Sequence, residues 1–261
     1  MITIVGSGNM AKALISPLKD GYDLEVIARD TSVLSELKLK YPVITTTKID
    51  GKIDIDGKDI ILSTKQQALE SLQFKGVANV LYSVLAGTTI DILRQNIKAK
   101  NYIRVMPNVS AKYQKSMTTL TGDMAAQNDA VKLFDNIGQT VWVDSEDKLD
   151  IATAIAGSGP AYLAIVAQGL IDGGVNCGLS RAQSRQIVAG LFDGFSPLIA
   201  QTLPQDIKDE ATSPNGTTVA GCEVMERYSI QECMSQTVAT AYERAKAIKD
   251  ENKNKQTKDK I

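Results

Sequence analysis

The first half of the chain alternates between short apolar runs and longer segments of helical periodicity. The apolar runs lie at residues 2–5 (ITIV), 24–28 (LEVIA), 58–65 (KDIILSTK), 79–87 (NVLYSVLAG), 102–109 (YIRVMPNV) and 140–145 (TVWVDS). Short continuous apolar runs indicate strands that are covered on both faces. Since helical segments separate most of them, the pattern predicts an α/β domain with a doubly wound, mostly parallel sheet over residues 1–146.

After residue 146 the strand pattern stops. Residues 147–248 show helical periodicity with many small residues, and the segment 147–179 is apolar on most faces. Such a helix must be buried all round, yet a domain of about 115 residues offers limited interior. We therefore expect a homodimer in which these helices interleave. The charged residues 249–261 predict a frayed end.

One part of this helical region has the length of a membrane span. Residues 151–171 carry no charge, and a segment of this length could cross a bilayer. However, Gly157, Pro160 and Gln168 interrupt it, and a spanning helix is usually more apolar and flanked by basic residues. We expect a buried helix of a soluble protein and no membrane partner.

The residues GSGNMA, 6–11, follow the first strand and open the first helix. Gly6 permits a tight turn, Gly8 lets the backbone approach a pyrophosphate, and Ala11 lets helix and strand pack closely. Free N–H groups at the helix start would face the phosphates. The strand–turn–helix–strand context favours a dinucleotide site over a structural turn. The predicted cofactor contacts here are Gly6, Ser7, Gly8, Asn9 and Met10.

The end of the second strand bears on the choice of dinucleotide. It runs into Arg29 and Asp30. A basic side chain at this place accommodates a 2′-phosphate, whereas an acidic one holds a ribose 2′-hydroxyl. The planar fork of Arg29 favours NADPH, and Asp30 leaves NADH open; a solvated surface charge is the alternative interpretation of Arg29.

Ligands of such sheets bind at the carboxyl ends of the strands. At these ends we predict a rim around the nicotinamide, formed by Lys65, Ala86, Gly87, Pro107 and Asn108. Each residue has a structural alternative, as a solvated charge, a turn or a strand terminator.

Composition narrows the chemistry. With 29 basic and 30 acidic residues the net charge is −1, and nothing indicates a nucleic-acid or anionic-membrane partner. The chain has no histidine, which excludes Ser-His-Asp and Cys-His catalysis and histidine-containing zinc sites, and we expect no metal. Three cysteines without CxxC spacing indicate reduced thiols and a cytoplasmic protein.

The stretch ATSPNGTTVAG, 211–221, precedes an apolar helical run. Pro-Asn-Gly can form a turn, Asn215 tolerates a left-handed backbone, and Ser213, Thr217 or Thr218 can cap the helix. A helix start with successive free N–H groups also binds carboxylate. Without histidine, a threonine hydroxyl is a sensible donor to a ring nitrogen. Both the cap and the anion site remain open at this point.

These motifs together resemble the pyrroline-5-carboxylate reductase family. The matching residues are GSGNMA (6–11), STKQQAL (63–69), RVMPN (104–108), GSGPAY (157–162), GLSRAQSRQI (178–187) and TSPNGTTVAG (212–221), in that family's order and spacing. The resemblance implies an N-terminal Rossmann domain that binds NAD(P)H and a C-terminal helical dimerisation domain. It further implies an active site between the domains that involves both subunits, and dimers that in some members assemble into decamers.

By position, the resemblance assigns Thr218 to the catalytic hydrogen bond with the substrate ring nitrogen. Ser213, Asn215, Gly216 and Thr217 would form the loop that holds the substrate carboxylate. The implied reaction is hydride transfer to 1-pyrroline-5-carboxylate, giving L-proline.

The chain departs from the family pattern at several places. Gln66, Val109 and Asn215 stand where the family usually has proline, threonine and glycine, and Gln201 stands where it commonly has glutamate. A related hydroxy-acid dehydrogenase is one rival, although its usual catalytic lysine is missing from residues 149–207. A non-catalytic NADPH-binding sensor or scaffold is another, since fold does not imply function.

Overall fold

The computed structural model describes residues 1–258. The strands are β1 (Ile2–Val5), β2 (Leu24–Ala28), β3 (Thr45–Lys48), β4 (Ile53–Asp54), β5 (Asp59–Leu62), β6 (Phe74–Lys75), β7 (Ala78–Ser83), β8 (Ala99–Met106), β9 (Ser116–Gly122) and β10 (Gly138–Trp142). The α-helices are α1 (Asn9–Leu18), α2 (Thr31–Lys40), α3 (Ile90–Asn96), α4 (Gln127–Phe134), α5 (Glu146–Ala152), α6 (Gly159–Asn176), α7 (Arg181–Gln201), α8 (Pro204–Ala211), α9 (Thr217–Arg227) and α10 (Ile230–Lys258).

The large sheet has the strand order β10-β9-β8-β7-β5-β1-β2-β3. β1 lies inside it and pairs in parallel with both neighbours, so that Ile2 is opposite Leu24 of β2 and Asp59 of β5. The pair β8–β9 is antiparallel, and the other neighbouring strands of this sheet run parallel. The predicted doubly wound, mostly parallel sheet is confirmed.

The core lies on both faces of this sheet. Successive side chains of a strand point to opposite faces, and Ile4 and Val5 of β1, both fully buried, belong to two different apolar clusters. Ile4 packs in the cluster that contains Leu14 of α1, and Val5 in the cluster that contains Leu93 of α3. Coverage of both faces explains why β1 is apolar except at Thr3, whose hydroxyl donates to Glu25 Oε2 at 3.0 Å.

Two strands of the large sheet are rich in threonine and lack the apolar runs that predict the other strands. β3 is TTTK and largely exposed, and β9 is SMTTLTG with Ser116 and Thr118 buried. In β9 these two hydroxyls lie 2.9 Å apart and share a hydrogen bond. Threonine is β-branched and suits a strand, but its polarity hides the strand from a search for apolar runs.

The chain divides into two compact units. The first comprises residues 1–158 together with the chain from Thr240 onward, and the second is Gly159–Ala239. The first unit thus contains the sheet, α1 to α5 and the C-terminal part of α10. The second contains α6 to α9 and the start of α10. The sequence pattern predicts a boundary between the two domains at residues 146 and 147. This boundary stays a prediction.

Helix α6 is uncovered within one protomer. None of its residues is buried, and Leu163 and Ile165 are 53% and 73% exposed. By length and composition, the helical stretch Glu146–Asn176 could cross a membrane, and its most apolar window is 6% buried. A core helix of a soluble protein meets the same two criteria. One protomer therefore does not supply the burial that this apolar sequence requires.

The C-terminal segment corrects one prediction. Residues 249–258 continue α10 instead of forming a frayed end. Lys249 Nζ lies 3.4 Å from Asp147 Oδ1 and 3.6 Å from Asp150 Oδ2, and Asn252 Nδ2 donates to the carbonyl of Gly87 at 3.0 Å. These contacts hold a charged segment that has no apolar pattern of its own. Residues 259–261 of the predicted tail lie outside the described residues.

Candidate functional site

A cavity of about 450 Å³ opens at the carboxyl ends of β1, β2 and β5. It brings together seven of the predicted cofactor contacts, namely Gly6, Ser7, Gly8, Asn9, Met10, Arg29 and Lys65. Parallel strands deliver the loops that follow them to one edge of the sheet, which is why residues distant in sequence meet here.

The two glycines of the turn serve different purposes. Gly6 has φ of +123°, and a Cβ on it would lie 2.4 Å from the carbonyl oxygen of Ser63. Gly8 has an extended backbone, with φ −72° and ψ −177°, and a Cβ on it would meet no protein atom within 4 Å. Gly6 is therefore required by the fold, whereas Gly8 leaves space that only a ligand would use.

The start of α1 fits an anion. No side chain caps it and its first turn carries no acidic residue. The first helical bond runs from Lys12 N to Gly8 O, so the N–H groups of the first turn lack helical partners. Such groups and the helix dipole favour phosphate.

Two buried hydroxyls in the same cavity were missed by the sequence analysis. Ser63 Oγ and Thr64 Oγ1 have no hydrogen-bond partner among the described residues, and both line the cavity. Buried polar groups are nearly always satisfied, so these orphans point to a polar ligand. Their position directly after the buried strand β5 was the available signal.

Asp30 has a structural role that the sequence left ambiguous. Its Oδ1 caps α2 by accepting from Ser32 N at 2.9 Å and Val33 N at 3.3 Å, and from Ser32 Oγ at 2.7 Å. The side-chain hydrogen bond from Ser32, followed by the two backbone hydrogen bonds, lowers the pKa of Asp30. This oxygen is committed to the helix, which weakens the case for Asp30 as the ribose ligand.

Arg29 remains as the charged group at the end of β2. Its guanidinium donates to Ser71 Oγ, and it lines both the main cavity and an adjoining hollow with Gly51 and Gln73. Arg29 thus lies between the two spaces at the end of β2.

The remaining predicted rim residues do not join this cavity. Ala86 and Gly87 line a second cavity of about 250 Å³ together with Arg104 and Met106. Pro107 is buried and lines neither cavity. The predicted rim is therefore divided within the protomer.

Asn108 is already engaged inside the protein. Its Oδ1 accepts from Ser110 N at 2.9 Å, and its Nδ2 donates to the carbonyl of Ala156 at 3.0 Å. The side chain thus joins the loop after β8 to the π-helical turn Thr153–Gly157. Its direct contact with a cofactor stays a prediction.

The substrate loop of the second unit has the expected turn and a different cap. Asn215 adopts the left-handed conformation with φ of +55°, and Gly216 N donates to Ser213 O at 2.9 Å. The N-cap of α9 is Gly216, and no side chain caps the helix, so the expectation of a hydroxyl cap from Ser213, Thr217 or Thr218 is wrong.

The absence of a capping side chain leaves the first turn of α9 open. The hydrogen bond from Ala220 N to Gly216 O at the start of this helix is long, at 3.4 Å. Thr217 and Thr218 are exposed. The N–H groups at this helix start can bind a carboxylate, with the hydroxyl of Thr218 one residue inside the helix.

Comparison with known proteins gives a consistent result. A family model described as pyrroline-5-carboxylate reductase dimerisation matches residues 146–248. The pyrroline-5-carboxylate reductase of Synechocystis is 30% identical over 259 residues, which covers 94% of this chain and 97% of that protein.

Two solved structures are similar to this chain over nearly its whole length. The 1-pyrroline-5-carboxylate reductase of Streptococcus pyogenes is 28% identical with a TM-score of 0.79, covering 94% of this chain and 98% of that one. The pyrroline carboxylate reductase of Plasmodium falciparum, solved with NADP bound, is 23% identical with a TM-score of 0.77, covering 95% and 99%. At this identity the second structure is a likeness of fold.

Proposed function

Because the chain belongs to the pyrroline-5-carboxylate reductase family, we propose that it reduces 1-pyrroline-5-carboxylate to L-proline, the last step of proline biosynthesis, with NADPH as the reductant. The observation that carries this proposal is the cavity at the β1–α1 turn, whose open helix start and orphan hydroxyls fit a dinucleotide. The substrate loop 212–218 lies within the residues that match the dimerisation model.

The first unit holds the dinucleotide. Gly8 and the first turn of α1 bind the pyrophosphate, Ser63 and Thr64 offer further hydrogen bonds, and Arg29 takes the 2′-phosphate. When bound, NADPH supplies the hydride that adds to the imine carbon. Lys65 adds positive charge near the phosphates.

The second unit holds the substrate. The N–H groups at the start of α9, presented by Ser213, Asn215, Gly216 and Thr217, bind the carboxylate. The hydroxyl of Thr218 accepts a hydrogen bond from the protonated ring nitrogen. A protonated imine is its own electrophile, so a chain without histidine does not need a strong acid. Positioning of this kind contributes up to about 7–11 kcal/mol in well-aligned cases.

The test is NADPH oxidation, followed at the nicotinamide absorbance. We expect rapid turnover with 1-pyrroline-5-carboxylate and none with a 3-hydroxy acid and NADP⁺. Turnover of the hydroxy acid alone would indicate the rival dehydrogenase. NADPH binding without turnover of either compound would indicate a sensor or scaffold.

Replacing Arg29 by alanine is expected to raise the KM for NADPH by about 10- to 100-fold, because a hydrogen bond to a charged group contributes about 1.5–3 kcal/mol. The KM for NADH should change by less than twofold, since NADH lacks the phosphate. Arg29→Lys keeps the charge without the fork and should lie between. Equal losses with both dinucleotides in steady-state kinetics would contradict the 2′-phosphate role.

A homodimer supplies the burial that α6 lacks. The matched dimerisation model covers α6 entirely. Large apolar side chains of α6 and α7 are exposed in one protomer, among them Ile165, Ile187 and Leu191, and exposed apolar patches mark interaction sites. We infer the homodimer as the basic assembly. Further assembly of dimers into a decamer stays an expectation from the resemblance.

Replacing Ile165, which is 73% exposed on α6, by glutamate is expected to convert the dimer to monomer, because it places a charge in the apolar contact. Leu39→Glu is the matched control, since Leu39 is 85% exposed on α2 of the first unit. Light scattering measures the mass. A wild-type mass of one chain at all concentrations refutes the dimer, and a mass of ten chains supports the decamer.

We propose a cytoplasmic location and a small-molecule substrate as the ligand of the second unit. Cys177, Cys222 and Cys233 are free thiols, and reduced thiols are typical of the cytoplasm. The relatives are named as pyrroline-5-carboxylate reductases, which act on a small molecule.

A further inference from the structure

We propose that Glu146 is a positioning residue that fixes, through one carboxylate oxygen, the two loops expected to carry the nicotinamide half of the dinucleotide. These are the loop after β7, with Ala86 and Gly87, and the loop after β8, with Pro107 and Asn108. The inference rests on the proposed function only in assigning the nicotinamide to these loops.

The carboxylate of Glu146 joins the two loops directly. Its Oε1 accepts from the backbone N–H of Ile90 at 3.0 Å and from Arg104 Nη1 at 3.1 Å. Ile90 is the first residue of α3 and ends the loop that contains Gly87. Arg104 lies in β8, two residues before Met106, where that strand ends. One oxygen atom therefore holds the end of one loop and the beginning of the other.

Arg104 makes this contact costly to lose. Its side chain is 1% exposed, and its second amino group donates to Asp150 Oδ1 at 2.9 Å. Its Nε has no partner among the described residues. A buried charge depends on its remaining partners, and removal of one of them is strongly unfavourable. Without Glu146, Asp150 is the one carboxylate that still binds the Arg104 guanidinium among the described residues. We therefore expect the end of β8 to shift.

The loop after β7 and the end of β8 face one space. Ala86, Gly87, Arg104 and Met106 line the cavity of about 250 Å³, and none of them lines the cavity at the β1–α1 turn. Thr88 Oγ1, in the first loop, is buried without a partner in the described part of the chain. A change at Glu146 should therefore disturb the nicotinamide end and spare the phosphate end.

The matched control is the next residue of the same helix. Asp147 is exposed, and its carboxylate accepts from Tyr242 OH at 3.0 Å and from Lys249 Nζ at 3.4 Å. It contacts neither Arg104 nor Ile90 through any described bond. Asp147→Asn makes the same chemical change as Glu146→Gln, one residue away.

The experiment compares Glu146→Gln, Glu146→Ala and Asp147→Asn in the full-length protein. Misplacement by about 1 Å costs up to about 100-fold in rate, so we expect Glu146→Ala to lower kcat by about 10- to 100-fold. Glu146→Gln keeps an acceptor oxygen and should recover part of that loss. The affinity for adenosine 2′,5′-bisphosphate, which lacks the nicotinamide, should stay within twofold in all three variants.

A second readout does not depend on turnover. At saturation, the fluorescence of the bound reduced nicotinamide should change in Glu146→Ala and stay as in wild type in Asp147→Asn. If wild type does not reduce the imine, the proposed function fails, and this fluorescence still tests the positioning role. Wild-type kcat and fluorescence in both Glu146 variants would overturn the proposal. Parallel loss of bisphosphate binding would also overturn it, because the effect would then be a general structural one.

Discussion

Gly8→Ala is expected to weaken NADPH binding by at least about tenfold while the protein stays folded. The added methyl group meets no protein atom within 4 Å, and the extended backbone of Gly8 is open to any residue. The expected loss of stability is therefore limited to about 1 kcal/mol, the usual cost of alanine at an N-cap. The methyl group would, however, occupy the space through which a pyrophosphate approaches the helix start.

The neighbouring glycine provides the contrast. Gly6→Ala places a Cβ 2.4 Å from the carbonyl of Ser63 at φ of +123°, and strain of this kind costs about 1–3 kcal/mol. It should therefore lower the melting temperature by more than Gly8→Ala does. Titration with NADPH and thermal unfolding of both variants separate the two effects. Wild-type NADPH affinity in Gly8→Ala would show that the pyrophosphate lies elsewhere.

The sheet was predictable where burial dictates composition. The runs at 2–5 and 24–28 coincide with Ile2–Val5 and Leu24–Ala28, because strands covered on both faces are mostly apolar. Their polar exceptions, Thr3 and Glu25, hydrogen-bond to each other. β9 could not be found in this way, since its buried threonine and serine side chains satisfy one another. Its antiparallel pairing with β8 also breaks the alternation on which the interpretation depended.

The cavity at the β1–α1 turn was predictable for a similar reason. A glycine turn between a strand and a helix determines its own local geometry, and the structure gathers the turn with Arg29 and Lys65 in one cavity. Strand ends alone do not reveal which loop side chains are used inside the protein. Asp30 caps α2, a role that Asp directly before a helix often has. Asn108 bonds to Ser110 and to Ala156, and no local pattern predicts the contact with Ala156, 48 residues away.

The C-terminal helix shows a further limit of sequence interpretation. The charged residues after 248 predicted a frayed end, yet Lys249 pairs with Asp147 and Asp150 of α5. A helix held by ion pairs to a distant segment has no apolar periodicity to detect. A separate hydrogen bond, from Asn252 Nδ2 to the carbonyl of Gly87, places this helix next to the loop after β7.

Thr218→Ala is expected to lower kcat by about 100-fold or more and to leave the affinity for NADPH unchanged within about twofold. A hydrogen-bonding group that acts at the reacting atoms typically contributes about 10²- to 10⁴-fold. Thr218 is exposed in the second unit, and no hydrogen bond to its hydroxyl is found among the described residues. Its removal should therefore cost the fold little.

Thr218→Ser tests whether the hydroxyl itself is responsible. Serine keeps the hydroxyl and loses only the methyl group, so it should restore kcat to within about tenfold of wild type. The helix start is unaffected in either variant, because Gly216 caps α9 without a side chain, and the carboxylate should still bind through backbone N–H groups. The KM for the imine is then expected to rise less than kcat falls in Thr218→Ala. Full activity in that variant would remove Thr218 from the reaction, and equal losses in the alanine and serine variants would assign the effect to packing rather than to the hydroxyl.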